Sequence, residues 1–452
     1  MPGYTTWKHI YKQELIQMED EGYDISDIPV MSPDGDSVLP FPGWEAENEG
    51  EDSEKAWEAA YNRLMELEKQ PLRADYPYVE PNDFEEILTA AAPAPELAPL
   101  SEEAYKKRIY GAFFGRVAAV VLGKPVECGL NADAIRSYLE GANAWPLTDY
   151  IPATSPGSDI KSREDCIYST KGNIHFAQCD DDINYTLLAL HLAETKGLDF
   201  TAADVGRNWL DNVPYHWFWC ASRQAYYHMV CEVPVEQIPT LLNPWRECID
   251  GQIRCDLWGY IAPGNLRKAA LGAYKDCSFS LVKNGTYGGM FVAGCIAAAL
   301  SANPTVDTIL DGGLAVIPEK SRLAEMVRIV RGWYRETPDY DTVCRKIYER
   351  WGHMQFAATI NNMAIVVLAI LEGNMDYSRT ITAAVCGGID TDCNAGTAGS
   401  IIGAAVGIDN IDRRWYIPLE DTLKTTVACY GQVKISDIAE KIIAVEKKLR
   451  EA

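Results

Sequence analysis

The chain has 452 residues, 47% of them hydrophobic, and 41 Lys and Arg stand against 65 Asp and Glu for a formal net charge of −24. Collagen-like, low-complexity and largely disordered chains are excluded, and the length suits one large domain with an appendage, or two to three modules. So large an acidic excess repels a phosphate backbone or an anionic membrane, so neither nucleic acid nor a membrane is expected as a partner.

The N-terminal run MPGYTTWKHIYKQELIQMEDEGYD has no apolar h-region and predicts no secretory signal. Apolar stretches such as Met363 to Leu371 fall short of a membrane-spanning helix. Thirteen scattered cysteines without a CxxC pair predict reduced thiols in a cytoplasmic protein rather than a disulfide framework or a zinc knuckle. Residues 1–100 carry 23 acidic and 6 basic side chains, so 17 of the 24 net negative charges lie in under a quarter of the chain.

Within that segment Trp7, Ile10, Tyr11 and Leu15 recur at helical spacing, as do Trp57, Tyr61, Leu64 and Met65. The turn-rich stretch SPDGDSVLPFPGWEAENEGED separates them, and AAPAPELAPL at 91–100 reads as a linker. We therefore expect an acidic helical extension over 1–100, packed on a main body over 101–452.

From residue 101 onward helical spacing or helix-compatible apolar runs dominate: Ser101 to Leu122, Asp182 to Lys196, Ser321 to Glu336, Tyr340 to Gly352, Ala358 to Gly373 and Ile435 to Glu451. Small residues crowd 288–302 (GGMFVAGCIAAALSA) and 395–407 (AGTAGSIIGAAVG), which suits closely packed helices. Alternating strand patterns are scarce. The expected fold is all-α, a multi-helical bundle.

Two acidic clusters stand in apolar surroundings. QCDDDINYTLLALHLAE puts Asp180, Asp181 and Asp182 at the start of an apolar helix, and CGGIDTDCNAGTAGSIIGAAVG puts Asp390 and Asp392 on a glycine-flanked turn. Helix capping would account for one aspartate at each start. Three in a row repel one another unless a cation lies between them, and gathered hard oxygens suit Mg²⁺, Mn²⁺ or Ca²⁺. Walker, HExxH, GxSxG and Rossmann signatures are missing, and none of the six histidines pairs with another at metal-ligand spacing. The aromatic run PYHWFWC at 214–220 is read two ways, as a stacking surface or as core.

These residues resemble the ADP-ribosylglycohydrolase family from about Tyr105 to Gly407. YGAFFGRVAAVVLGKPVE, ending at Gly123, Lys124, Pro125, Val126 and Glu127, is similar to its opening signature. CDDDINYT is similar to its Thr-Asp-Asp-Thr helix start, with Asp180 in the Thr position, and GGIDTDCNAGTAGS to its late Gly-Gly-x-Asp-x-Asp motif. The resemblance implies an all-α bundle of orthogonal helices with two Mg²⁺ ions, Mn²⁺ being a substitute, in a central cleft. It implies hydrolysis of an N- or O-glycosidic bond at the anomeric carbon of an ADP-ribosyl or related ribosyl small molecule. Carried over, Asp180, Asp181, Asp182, Asp390 and Asp392 would be metal ligands, with Asp181 also catalytic beside Glu127.

Departures from the family pattern shape the expectation. Cys393 replaces a hydroxyl ligand, and Asn394 beside it could supply the oxygen instead. Val117, Ala118 and Ala119 stand where many members carry an Asp, and Lys283 where many carry a His. These changes argue against a protein-linked substrate. Asn284 and Tyr287 are expected to line the cleft; Asp256 is either a site residue or a buried acid paired with Arg254. Alternatives to the hydrolase are a non-catalytic metal-dependent ADP-ribose or nucleotide binder, and a nucleosidase-like hydrolase of small ribosides.

Overall fold

The computed structural model describes residues 5–26, 28, 51–127 and 129–451. The turn-rich stretch expected at 32–52 falls almost wholly outside them. The first helix, α1 (Trp7–Asp20), follows Thr6, whose hydroxyl accepts from the His9 amide as an N-cap. It packs on α2 (Glu51–Met65), with Tyr11 tilted against Trp57 and Trp7 against Tyr61. Both pairs are among the aromatics whose spacing predicted these helices.

Ser101 caps the long helix α3 (Glu102–Gly123). By length and composition the stretch Glu102–Val126 could cross a membrane, which corrects the sequence expectation that no stretch is long enough. Its apolar window is 94% buried in the protein, so it is a core helix. Next come α4 (Asp181–Lys196), α5 (Lys283–Ala299), α6 (Arg322–Glu336), α7 (Thr359–Gly373), α8 (Tyr377–Cys386), α9 (Thr391–Val406) and α10 (Ile435–Glu451), with shorter helices between them. Among the described residues the only sheet is a hairpin of β1 (Thr422–Lys424) and β2 (Gln432–Lys434). The fold is all-α.

Helix α9 lies at the centre, touching α3, α5, α7 and α8, and its residues Thr391 to Ala405 are all buried. A helix buried all round needs no polar face, which explains its glycines, alanines and isoleucines. Its seam with α3 is closer than side chains allow. A Cβ on Gly403 would lie 2.3 Å from the Gly111 carbonyl oxygen, and one on Gly115 2.8 Å from that of Gly399. Gly123, at the C-terminal end of α3, meets Thr391, at the start of α9. The helices therefore run antiparallel and bring Lys124 and Glu127 beside Asp390 and Asp392.

The N-terminal segment is joined to this body by buried charge. Arg246 bonds Glu14 at 2.6 Å and Glu21 at 2.7 Å, and Lys283 reaches Glu21 at 2.5 Å. Farther along, Glu80 pairs with Arg322 at 2.8 Å, and Glu247 joins the same guanidinium at 2.7 Å.

Candidate active site

A cavity of about 600 Å³ opens between the end of α3, the start of α4 and the turn before α9. Its polar lining includes Lys124, Glu127, Arg163, Asp180, Asp181 and Asp390. Each carboxylate is placed by a distinct local device. The strand β1 bonds Ala177 on both sides, from the Ala177 amide to the Thr422 carbonyl and from the Lys424 amide to the Ala177 carbonyl, and so fixes the approach to α4. Asp180 then caps α4, its Oδ1 accepting from the Asp182 amide at 3.0 Å. The capping reading holds for this residue.

It fails for Asp390. That residue occupies the N-cap position of α9 yet makes no capping bond. The turn that presents it passes through Gly388 at φ +72° and Ile389 at φ +65°. A β-branched residue in the left-handed region is strained, and such strain persists only where the surroundings over-determine it. They do so here: Leu130 takes the Ile389 amide, the Tyr348 hydroxyl donates to the Gly387 carbonyl, and Asn362 Oδ1 accepts from the Asp390 amide. Asn362 is thus a buried structural residue.

Asp182 and Asp392 lie deeper, 0% and 2% exposed. Asp182 faces the Arg116 guanidinium at 3.4 Å and accepts from the Cys393 thiol at 3.1 Å. Oδ1 of Asp390 and Oδ1 of Asp392 are buried and accept no hydrogen bond. Such orphans cost free energy unless something cationic or a donor meets them. Burial, followed by the charge of neighbouring carboxylates, lifts Asp181, Asp390 and Asp392 well above the ordinary carboxylate range. Asp390, Asp392 and Cys393 offer ligand atoms within 4.8 Å of one another, as do Asp180, Asp181 and Asp182. The donor set is hard oxygen with one thiol, and the orphaned oxygens fit a divalent cation.

Glu127 faces the same cavity and is held by an ion pair with Arg163. His216, Trp217, Trp219 and Cys220 also line the cavity, while Phe218 of the same run is core, packed on Trp209 and Tyr185; Arg223 is stacked 4.6 Å from Tyr215 and 5.6 Å from Trp219. Sequence reasoning did not single out Arg163, Tyr185 or Asp250; no local pattern marks them, and only the fold brings them to the cavity.

Four expected site residues lie elsewhere. Asn284 donates to Glu80 at 2.8 Å and accepts from the Leu323 amide, while the Tyr287 hydroxyl donates to the Pro81 carbonyl. Neither lines the cavity, because residues 76–81 of the N-terminal segment cover that end of α5. Asp256 is a buried acid, but its partner is Arg116 at 3.1 Å; Arg254 pairs with Asp276 at 3.0 Å. Asn394 is not among the lining residues of the cavity; it donates to Asn362 at 2.9 Å and accepts from Gln252 at 3.2 Å, so both ends of its amide are held in the core network.

A family model described as ADP-ribosylglycohydrolase matches residues 101–451. Among solved structures, one titled "ADP-ribosylglycohydrolase-related protein complex" is 17% identical, with a TM-score of 0.47, covering 77% of this chain and 99% of that one. No curated protein matches the chain.

Proposed function

The chain belongs to the ADP-ribosylglycohydrolase family, and from that premise we propose that its cavity is the active site of a metal-dependent hydrolase of ADP-ribosyl glycosidic bonds. The observation that carries the reading is the pair of buried, unpartnered carboxylate oxygens on Asp390 and Asp392, beside a cavity that also presents Glu127. Asp181, Asp390 and Asp392 would hold a divalent ion, Mg²⁺ or Mn²⁺, which when bound lowers the pKa of attached water and polarises sugar hydroxyls.

The chain's own side chains supply the rest. Glu127, set by Arg163 at the cavity wall, is the carboxyl that exchanges a proton with the reacting groups at the anomeric carbon. The half-buried Trp217 and Trp219 offer flat faces for a base or sugar. The apolar side, with Ile249, Ile253 and Ala357, limits water around the bond.

One observation favours a second reading, a small riboside without pyrophosphate. The two lysine and arginine side chains that line the cavity, Lys124 and Arg163, are both paired to its carboxylates. A panel of ADP-ribosylated arginine and serine derivatives, run beside plain nucleosides with Mg²⁺ and after chelation, tests both. Release of ADP-ribose that is lost on chelation and in Asp390→Asn supports the first reading. Turnover of nucleosides alone shifts it to the second, and no turnover of any substrate overturns both.

A further inference from the structure

The two ligand triads do not stand in the same state. Every oxygen of Asp180 and Asp182 is engaged: Asp180 Oδ1 by the Asp182 amide, Asp180 Oδ2 by Lys124 Nζ at 2.5 Å, Asp182 Oδ1 by Arg116 and Asp182 Oδ2 by the Cys393 thiol. The lysine is itself fixed, donating also to the Cys179 carbonyl at 2.8 Å, and its side chain is only 10% exposed. By contrast Asp390 and Asp392, 5% and 2% exposed, each keep an oxygen with no partner.

We infer that Lys124 is a resident cation of this site: its ammonium closes the Asp180–Asp182 triad, and the protein takes a single divalent ion, seated on Asp390 and Asp392 with Asp181 at its edge. The inference rests on the metal-dependent reading above. An ammonium on Asp180 supplies the charge that an ion would otherwise bring there, and a buried, doubly bonded lysine is not displaced without leaving its own charge unpaired. The Cys393 thiol donates to the remaining oxygen of Asp182, so that oxygen too already has a donor.

The test is the stoichiometry and magnetism of Mn²⁺ binding to the full chain, without substrate. Native mass spectrometry and calorimetry should count one Mn²⁺ per wild-type chain, and the electron paramagnetic resonance spectrum should be the six-line pattern of an isolated ion. Lys124→Met, which removes the ammonium and keeps Asp180, should admit a second ion, seen as a second equivalent and as spin coupling between the two. Two coupled ions in the wild type overturn the inference while leaving the hydrolase reading standing. One ion in both proteins overturns the role of Lys124. No ion in the wild type removes the metal-dependent reading itself.

Discussion

Replacing Arg246 with Met isolates what the N-terminal segment contributes to the fold. The guanidinium is buried and bonds two buried carboxylates, Glu14 within α1 and Glu21 just past its C-terminal end. Glu21 retains Lys283 and Gln17 when the arginine is lost, but Glu14 has no other ion-pair partner among the described residues. The substitution therefore leaves one uncompensated buried carboxylate, a loss of about 3–5 kcal/mol. Unfolding in guanidinium chloride, followed by tryptophan fluorescence, measures it, and Trp245 beside the mutated position stacks on His9 at 5.8 Å. Burial already pushes the Glu14 carboxyl above its usual range, against the pull of Arg246. Without the arginine it is pushed further, so acid neutralises it and the loss should shrink from pH 8 to pH 5. The double variant Glu14→Gln/Arg246→Met should recover most of the loss, since neither group is then charged. A loss under about 1 kcal/mol, or one that neither acid nor the second substitution relieves, would refute the argument.

Three further outcomes are expected. Burial first, and then Lys12, lowers the pKa of His9 to about 4 from an ordinary 6.5. The unfolded chain then binds the proton first, so stability attributable to His9 is complete above pH 6.5 and falls as pH drops toward 4, by about 3 kcal/mol; His9→Phe should flatten that limb of a pH–stability curve. Gly403→Ala places a methyl 2.3 Å from the Gly111 carbonyl oxygen, and thermal unfolding should show at least about 1–3 kcal/mol lost. Mg²⁺ at 100 times its dissociation constant should add about 2.7 kcal/mol of stability, a gain that chelation removes; Asp390→Asn should abolish that gain while raising the melting temperature of the metal-free protein.

Helices with strong apolar spacing and a capping residue were legible from local sequence: Ser101 before α3, Ser321 before α6 and Asp180 before α4. The two carboxylate clusters were legible too, because charge in an apolar run is conspicuous. What a linear reading lacked was knowledge of distant partners. Asn284 and Tyr287 sit in a motif-like block, but Glu80 and Pro81, some 200 residues earlier, cover them. Asp256 has Arg254 two residues away and yet pairs with Arg116, 140 residues upstream. Lys124 has no role assigned by its place in the opening signature, and only the fold sets it against Asp180. The short hairpin at 422–434 has strands of three residues each, too few for an alternating pattern to register.

The glycine seam between α3 and α9 makes the site a fixed gauge. Its two jaws, Lys124 and Glu127 on one side and Asp390 and Asp392 on the other, are extensions of two helices in backbone-to-backbone contact. At Gly111–Gly403 and Gly115–Gly399 backbone meets backbone, and the α3 side chains that reach the α9 glycines include Ala119 and Val120, so repacking has little room to change the gap between the jaws. On the proposed reading, adjustment to a substrate falls to the walls carried by other segments, Trp217 and Trp219 and the loop bearing Arg163. Drift in sequence along the seam would register first as a misfit in the site, before the rest of the core recorded any change.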